Sequence, residues 1–248
     1  MVRGTLRLTV RRRNSGRGLS EGAGPARPWG SIATKGKAVR DLILKMSMSL
    51  DGFVSDMEGR NTWMFGADQA AKAWSVETLW TAGLHIMGAR SFQDMAAWWP
   101  TSTDQFAQPM NQIPKAVFSR QGQAALGKVN NTASLEEARA RAGATQSAAL
   151  QPGAESWARA YVASGDLGEE IARLKAEGGK PIIAHGGVSF ARSLVAHGLV
   201  DQFVLAIHPV ALGQGLPLFS DLAAPMRLEL VSSRAFPGGA MAQVYRPA

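Results

Sequence analysis

The sequence contains no cysteine, which excludes disulfide bonds, zinc–thiolate sites and cysteine nucleophiles. It also has no apolar run of the roughly 18 residues that a membrane helix requires, so no membrane partner is expected. The lack of cysteine fits a cytoplasmic location, which we predict, although secreted proteins can lack cysteine too. The 248 residues are 46% apolar and 19% charged, and this composition predicts a sizeable core.

The excess of positive charge is confined to the N-terminus. Residues 1–40 hold ten Lys and Arg and one acid, whereas residues 41–248 hold 17 basic and 18 acidic residues. Segment 1–38 is rich in Gly, Arg and Ser without sustained periodicity, which predicts a disordered basic extension. Three interpretations stay open for it: an inert extension, a contact with nucleic acid, and a targeting signal. Residues 39–248 are nearly neutral, so we expect nucleic-acid binding, if any, only through this extension.

Residues 39–248 are predicted to form a single domain in which short buried strands alternate with amphipathic helices. Strand patterns lie at 41–49, 84–88, 115–119 and 181–185, with helical patterns between them. Residues 121–165 are polar and Ala-rich, and are predicted to be an inserted excursion with one helix near 135–141. After residue 200 three longer strands follow without helices. The order predicts an α/β fold whose helix-covered sheet is mostly parallel, with antiparallel C-terminal strands.

Two strand–turn–helix junctions carry glycine at the turn. The first is "LHIMGARSF", with Gly88 at the end of the strand, and the second is "PIIAHGGVSF", with Gly186 and Gly187. The first N–H groups of a helix have no backbone partners, and glycine lets an anion come close to them. Taken alone, each junction is more typical of a tight turn and nothing more. The sequence has no GxGxxG fingerprint and no P-loop.

Two arginines follow the ends of neighbouring short strands. Arg90 comes two residues after Gly88, and Arg120 directly follows Ser119. Because parallel strands align their carboxyl ends, both guanidinium groups can reach one phosphate, and a nucleotide 2′-phosphate would explain the pair. The alternative is two solvated surface arginines.

The remaining polar candidates are less specific. The four histidines have no metal-ligand spacing, so no metal is predicted. Asp51 in "SLDG" is a polar group at the mouth of the first strand, and an Asp-Gly turn is its simpler interpretation. Trp63 lies in a loop, from which it can line a pocket.

The stretches "LILKMSMSLDGFVS", "IMGARSF", "PKAVFSR" and "HGLVDQFVLAIHPVALGQGLPLF" resemble dihydrofolate-reductase-like proteins. The resemblance is greatest to the group related to the reductase domain of the bifunctional riboflavin-biosynthesis deaminase–reductase. It covers residues 39–248 apart from about 121–165. It implies a three-layer dihydrofolate-reductase-like fold with a central mixed sheet, NADPH as hydride donor, a small-molecule substrate and a homodimer.

The resemblance also implies roles for individual residues. The "GARS" segment would contact the cofactor phosphates, "SR" would lie by the 2′-phosphate, and the glycine pair would hold the pyrophosphate. The cofactor-binding residues expected are Ser49, Gly88, Ala89, Arg90, Ser91, Ser119, Arg120, His185, Gly186, Gly187 and Val188. Asp51 and Trp63 are expected to face the substrate, and Asp51 or Asp68 to relay a proton.

The expected function is therefore an NADPH-dependent reductase of a small heterocyclic or carbonyl/imine substrate. Alternatives are the pyrimidine reductase of flavin synthesis and dihydrofolate reductase itself. A third alternative is a nucleic-acid-binding protein with a basic tail and a non-catalytic scaffold. Dihydrofolate reductases hold the pterin with a carboxylate on the helix before the "MG" strand. Asp68 and Glu77 lie on the matching helix without the matching spacing, which argues against folate.

Overall fold

The computed structural model describes residues 39–64, 68–127, 132–141 and 145–248. All of them belong to one compact unit, Lys35–Ala248. The predicted disordered extension, 1–38, lies outside the described residues. The strands are β1 (Leu42–Ser49), β2 (Phe53–Ser55), β3 (Leu84–Gly88), β4 (Lys115–Phe118), β5 (Tyr161–Ala163), β6 (Ile182–Ala184), β7 (Gln202–His208), β8 (Leu216–Pro217), β9 (Leu228–Ala235) and β10 (Met241–Pro247).

Eight of these strands form one sheet in the order β5-β4-β3-β6-β1-β7-β10-β9. Every neighbouring pair from β5 to β7 is parallel, whereas β10 pairs antiparallel with both β7 and β9. The predicted α/β fold, with a mostly parallel sheet and antiparallel C-terminal strands, is confirmed. β2 and β8 form a separate antiparallel pair.

The helices are α1 (Gln69–Trp80), α2 (Ala89–Ala96), α3 (Ala107–Gln112), α4 (Ala133–Arg141), α5 (Glu155–Ala158), α6 (Leu167–Ala176) and α7 (Val188–Ala196). Single 3-10 turns lie at Thr62–Met64, Trp99–Thr101 and Gly122–Ala125. None of the helices in the described part of the chain combines the length and apolar character that crossing a membrane requires.

The sheet is buried on both faces, which explains why its central strands are apolar along their whole length. On one face Leu42, Leu44 and Ile182 pack with Ile171 of α6 and Leu194 of α7. The opposite face carries two clusters, one with Trp74 of α1 and the other with Phe92 of α2 and Trp157 of α5. Helices therefore cover both faces, and the three layers expected from the resemblance are present.

The excursion expected at 121–165 is not entirely outside the sheet. Its helix, α4, lies close to the expected position, but Tyr161–Ala163 forms β5 and pairs in parallel with β4 at the edge of the sheet. A strand of three residues with an exposed first side chain is too short to give an alternating pattern, so the sequence offered little signal for it.

Candidate functional site

A cavity of about 1270 Å³ lies where β3, β6, β1 and β7 approach their carboxyl ends. Ligands of open α/β sheets bind at this edge. The cavity is lined by the following residues expected from the sequence: Trp63, Asp68, Gly88, Ala89, Arg90, Ser91, Arg120, His185, Gly186, Gly187 and Val188. Ser119 lines an adjoining cavity of about 390 Å³ together with Ala89, Arg90 and Arg120. Ser49 and Asp51 line neither cavity.

Two helix N-termini meet at the large cavity. Gly88 is the N-cap of α2 and Gly187 is the N-cap of α7, and neither helix has a side-chain cap bond. The two turns touch, because the Gly88 N–H donates to the Gly186 carbonyl over 3.4 Å. The positive ends of two helix dipoles therefore lie side by side, and this arrangement suits an anion.

The glycine pair is required by the fold of its own turn. Gly186 has a φ of +74° and Gly187 a φ of +43°, which disfavour any residue with a Cβ. A Cβ on Gly186 would lie 3.0 Å from the Met46 Sδ, and one on Gly187 would lie 3.0 Å from the Ser91 Oγ. The tight-turn interpretation therefore accounts for the glycines themselves. The argument for an anion rests on the uncapped N–H groups that follow them.

Arg90 and Arg120 line both cavities, and both side chains are exposed. Neither forms an ion pair with any residue that the structure describes. The smaller cavity that they share has no carboxylate in its lining, and two guanidinium groups in such a place are well suited to bidentate phosphate binding.

The carboxylate of Asp51 links two loops through hydrogen bonds. Its carboxylate accepts a hydrogen bond from the Ser49 hydroxyl at 2.6 Å and from the N–H groups of Leu212 and Gly213. These bonds lower the pKa of Asp51, the Ser49 bond most of all. The Ser49 Oγ in turn accepts from the Phe53 N–H. The geometry supports the turn interpretation of "SLDG", and the roles expected for Ser49 and Asp51 in the site gain no support from it.

Asp68 lines the cavity as the N-cap of α1. Its carboxylate accepts from the N–H groups of Ala71 at 3.0 Å and Gly238 at 2.5 Å. The Ala71 bond is the largest cause of the lowered pKa of Asp68. An ionised carboxylate with two backbone donors is a stabilised cap, and a group with this low affinity for protons is poorly suited to deliver one.

The sequence interpretation missed a band of basic side chains across the sheet. The basic band consists of Lys115, His85, His185, Lys45 and His208, which belong in that order to five adjacent strands, β4, β3, β6, β1 and β7 (His185 directly follows β6). The strand registers and the two-residue alternation place all five on the same face of the sheet. The available signal was a basic residue inside each of several otherwise apolar strands.

Burial and mutual repulsion weaken the affinity of the basic band for protons. Burial lowers the pKa of Lys45 to about 8 and that of Lys115 to about 7. Burial, with the charges of the two lysines, lowers the pKa of His185 to about 3. The His185 ring packs edge-on against His85 with 4.4 Å between centroids, and the pKa of His85 is lowered as well, mainly by burial. At neutral pH, Lys45 is therefore the main positive charge of the band within the cavity.

Four polar atoms of residues on the cavity wall are buried without a hydrogen-bond partner. They are the indole Nε1 of Trp63, the Nε2 atoms of His185 and His208, and the Oδ1 atom of Asp94. The rings of Trp63 and His208 meet edge-on with centroids 5.6 Å apart. Since unpaired buried polar groups are costly, atoms of this kind on a cavity wall indicate a ligand that completes them. Within the described ranges, no group of His, Asp and Glu is arranged to hold a metal ion.

Residues 40–242 match the family model of the RibD C-terminal domain. The chain belongs to this family. Protein YyaP of Bacillus subtilis (strain 168), described as uncharacterized, is 44% identical over 77 residues. That match covers 31% of this chain and 41% of YyaP, so the chain spans well under two thirds of the relative's length. The expected resemblance to the reductase part of the riboflavin-biosynthesis enzyme is confirmed at the level of the family.

Solved structures agree on the fold of this RibD C-terminal domain. A diaminohydroxyphosphoribosylaminopyrimidine deaminase/5-amino-6-(5-phosphoribosylamino)uracil reductase from Thermotoga maritima superposes with a TM-score of 0.58 at 19% identity. The match covers 86% of this chain and 58% of that protein. The dihydrofolate reductase of Enterococcus faecalis, complexed with NADP(H), gives a TM-score of 0.51 at 12% identity and covers 84% and 96% of the two chains. The expected dihydrofolate-reductase-like fold is confirmed.

Proposed function

We propose that this protein is an NADPH-dependent reductase of a small heterocyclic or carbonyl/imine substrate. The observation that carries the proposal is the pair of uncapped helix N-termini, at Gly88 and Gly187, on the same cavity as two arginines without ion pairs. Membership in the RibD C-terminal domain family supports it, since one similar structure is named a uracil-type reductase and another is a dihydrofolate reductase complexed with NADP(H).

The donor groups fit the phosphates of a dinucleotide. The N–H groups at the starts of α2 and α7, with the hydroxyl of Ser91, would hold the pyrophosphate. Arg90, Ser119 and Arg120 surround the smaller cavity and would hold a 2′-phosphate, which NADPH has and NADH lacks. When bound, NADPH supplies a hydride, and the task of the chain is to orient the two reactants.

The substrate would occupy the part of the cavity lined by Trp63, Asp68 and Lys45. Asp68 is engaged by two backbone N–H groups, and Glu77 is exposed and lies outside the cavity lining. Neither therefore offers a free carboxylate for a pterin, which favours a substrate other than folate. Assays with dihydrofolate and with a ribosylaminopyrimidine would separate the two alternatives within this class.

A homodimer and a cytoplasmic location belong to the same proposal. Strand β9 is eight residues long, forms one edge of the sheet and exposes Leu230 and Val231. Exposed edges of this kind are commonly covered by another chain. Light scattering on a size-exclusion column tests the dimer, and a monomer at micromolar concentration would contradict it.

Replacement of the two arginines tests the cofactor assignment. Arg90→Ala and Arg120→Ala are each expected to weaken NADPH binding about 10- to 100-fold and to leave NADH binding unchanged, because only NADPH has the third phosphate. The tryptophans that line the cavity report both titrations through their fluorescence. Arg159→Ala is the matched control, because Arg159 is exposed and lines neither cavity. Unchanged NADPH affinity and unchanged NADPH/NADH preference in both variants would show that the assignment is wrong.

A further inference from the structure

Lys45 is a half-buried cation on the cavity wall without a matching anion. Its Nζ donates to the Ser75 hydroxyl over 3.2 Å and lies 5.9 Å from the centre of the Trp74 ring. It forms no ion pair with any carboxylate of the described residues. Charges removed from water are normally paired, because an unpaired one carries its full desolvation cost.

The acidic residues that line the same cavity form no ion pair with Lys45, although one oxygen of Asp94, Oδ1, is buried without a hydrogen-bond partner. Asp68 accepts from two backbone N–H groups, Asp94 accepts from the Thr132 hydroxyl, and Glu58 pairs with Arg60 at 3.5 Å. None of them is a counterion for Lys45. The cavity thus holds a cation without a counterion among the described residues.

The groups near this cation add hydrogen-bond donors. The Nε1–H of Trp63 can only donate, and it is buried without an acceptor on the wall that Lys45 also lines. His208 touches Trp63 edge-on, and its own Nε2 lacks a partner. Lys45 and His208 lie on the same face of the adjacent strands β1 and β7, and the charge of Lys45 contributes, after burial, to the lowered pKa of His208.

We propose that this part of the cavity binds an anionic group of the substrate, of the carboxylate class, through an ion pair with Lys45 and a hydrogen bond from Trp63. The proposal rests on the proposed function in taking this cavity as the substrate site, and it adds the charge of the substrate. An uncharged amide of the same shape would leave the ammonium group unpaired. The site should therefore discriminate between the two by charge.

The proposal predicts how binding depends on pH. With a pKa of about 8, Lys45 is mostly protonated at pH 7 and loses its charge as the pH rises, so anion affinity falls up to tenfold per unit above pH 8. The other charged or titratable groups that face Lys45 across the sheet and the cavity are His85, His185, His208, Lys115, Lys72, Arg90, Arg120, Asp68, Asp94 and Glu58. The three histidines have lowered pKa values and Lys115 titrates near pH 7, so the loss above pH 8 reports Lys45.

Calorimetric titration of the full chain with benzoate and with benzamide tests the proposal. Benzoate is expected to bind at least tenfold more tightly at pH 7. At pH 8 its binding should take up about half a proton, measured by comparing buffers of different ionisation enthalpy, because the anion raises the pKa of Lys45. Benzamide should take up none. Equal binding of the two probes, no benzoate binding at millimolar concentration, or benzoate binding without proton uptake would overturn the proposal.

Three variants test which cation is responsible for the binding of benzoate and the proton uptake. Lys45→Met should reduce benzoate affinity to that of benzamide and abolish the proton uptake. Lys72→Met removes another lysine that lines the cavity, and Arg120→Ala removes a phosphate-side cation, so both should keep tight benzoate binding and proton uptake. Loss of benzoate binding in Arg120→Ala alone would contradict the proposal. NADPH titrations of the same samples distinguish a failure of this inference from a failure of the cofactor assignment.

Discussion

The two walls of the cavity hold their positive charge in different ways. On the phosphate wall, at the starts of α2 and α7, the charge comes from exposed Arg90 and Arg120 and from backbone N–H groups. On the sheet wall it comes from Lys45 in the basic band, which lies deep enough for its pKa to fall to about 8. The first wall suits a ligand with several phosphates, and the second suits one small charged group.

Solvent explains this difference. Water and salt screen exposed arginines, and several of them together hold a polyanion without strict geometry. A half-buried ammonium such as that of Lys45 is screened less than an exposed arginine, so a wrong or missing partner costs more binding free energy. We therefore expect the phosphate wall to determine which cofactor binds, and the sheet wall to determine the charge of the substrate and the pH dependence. Three predictions test this division of roles between the phosphate wall and the sheet wall.

The largest effect is expected from Gly187→Val at the centre of the phosphate wall. A β-branched residue at a φ of +43° is strained, and its Cβ would lie 3.0 Å from the Ser91 Oγ. We expect the free energy of unfolding to fall by about 2 kcal/mol. NADPH affinity should fall about 100-fold, because the first turn of α7 has to move. Thermal unfolding and fluorescence titration measure the two effects.

Gly127→Val is the matched control for this substitution. Gly127 is exposed, and a Cβ built on it meets nothing within 4 Å. This variant should bind NADPH like the wild type. If Gly187→Val is folded and binds NADPH with unchanged affinity, the start of α7 does not belong to the cofactor site.

The sequence allowed prediction of the phosphate wall better than of the sheet wall. Gly88, Gly187 and Arg90 follow strand ends in motifs of a few residues, and local chemistry determines what such motifs do. Lys45 and His208 are 163 positions apart in the sequence, and each on its own looks like a polar residue in a strand. Only the pairing of β1 with β7 brings them to one face, and that pairing is a long-range property.

The sheet was predictable because its central strands are apolar and are separated by helices, two of which carry a side-chain cap. Asp166, for example, caps α6 by accepting from the N–H groups of Gly168 and Glu169, as its position before an amphipathic run indicates. The edge strand β5 escaped prediction because three residues carry too little pattern. The role expected for Asp51 came from the resemblance, whereas its hydrogen bonds depend on a loop about 160 residues further along the chain.

A smaller effect is expected from Lys115→Met, at the end of the basic band away from the cavity. The Lys115 ammonium donates to the Ile113 carbonyl and the Ser156 hydroxyl, and burial lowers its pKa from 10.5 to about 7. The unfolded chain therefore binds more protons than the folded one between pH 7 and 10.5. Wild-type stability gains from Lys115 as the pH rises through this window, by about 1 kcal/mol per unit, and the variant lacks that gain.

Denaturant unfolding at pH 7, 8 and 9 measures this difference in slope. Comparison with wild type removes the contribution of Lys45, which both proteins retain. Lys180→Met is the control, because Lys180 is exposed and its variant should follow the wild-type slope. If the free energies of unfolding of Lys115→Met and wild type change in parallel with pH, Lys115 keeps an ordinary pKa. NADPH affinity should not change, because Lys115 does not line the cavity.

The smallest effect is expected from Asp51→Asn, just outside both walls. The variant weakens the bonds from the N–H groups of Leu212 and Gly213, so the melting temperature at pH 7 should fall by a few degrees. Because the pKa of Asp51 is lowered in the folded state, its stabilisation is present above the unfolded pKa of about 3.9 and is lost as the pH falls through the lower folded value. The two melting curves should therefore converge in strong acid.

Binding measurements on the same variant decide whether Asp51 only links two loops or is also a catalytic group. Asp51→Asn should bind NADPH and benzoate as the wild type does, because Asp51 lines neither cavity. Asp221→Asn, at another exposed aspartate, controls for the loss of one negative charge. A tenfold fall in the turnover number of Asp51→Asn without a change in melting temperature would show that Asp51 takes part in the reaction. The boundary of the active site would then include the "SLDG" turn, and the sheet wall would extend past the end of β1.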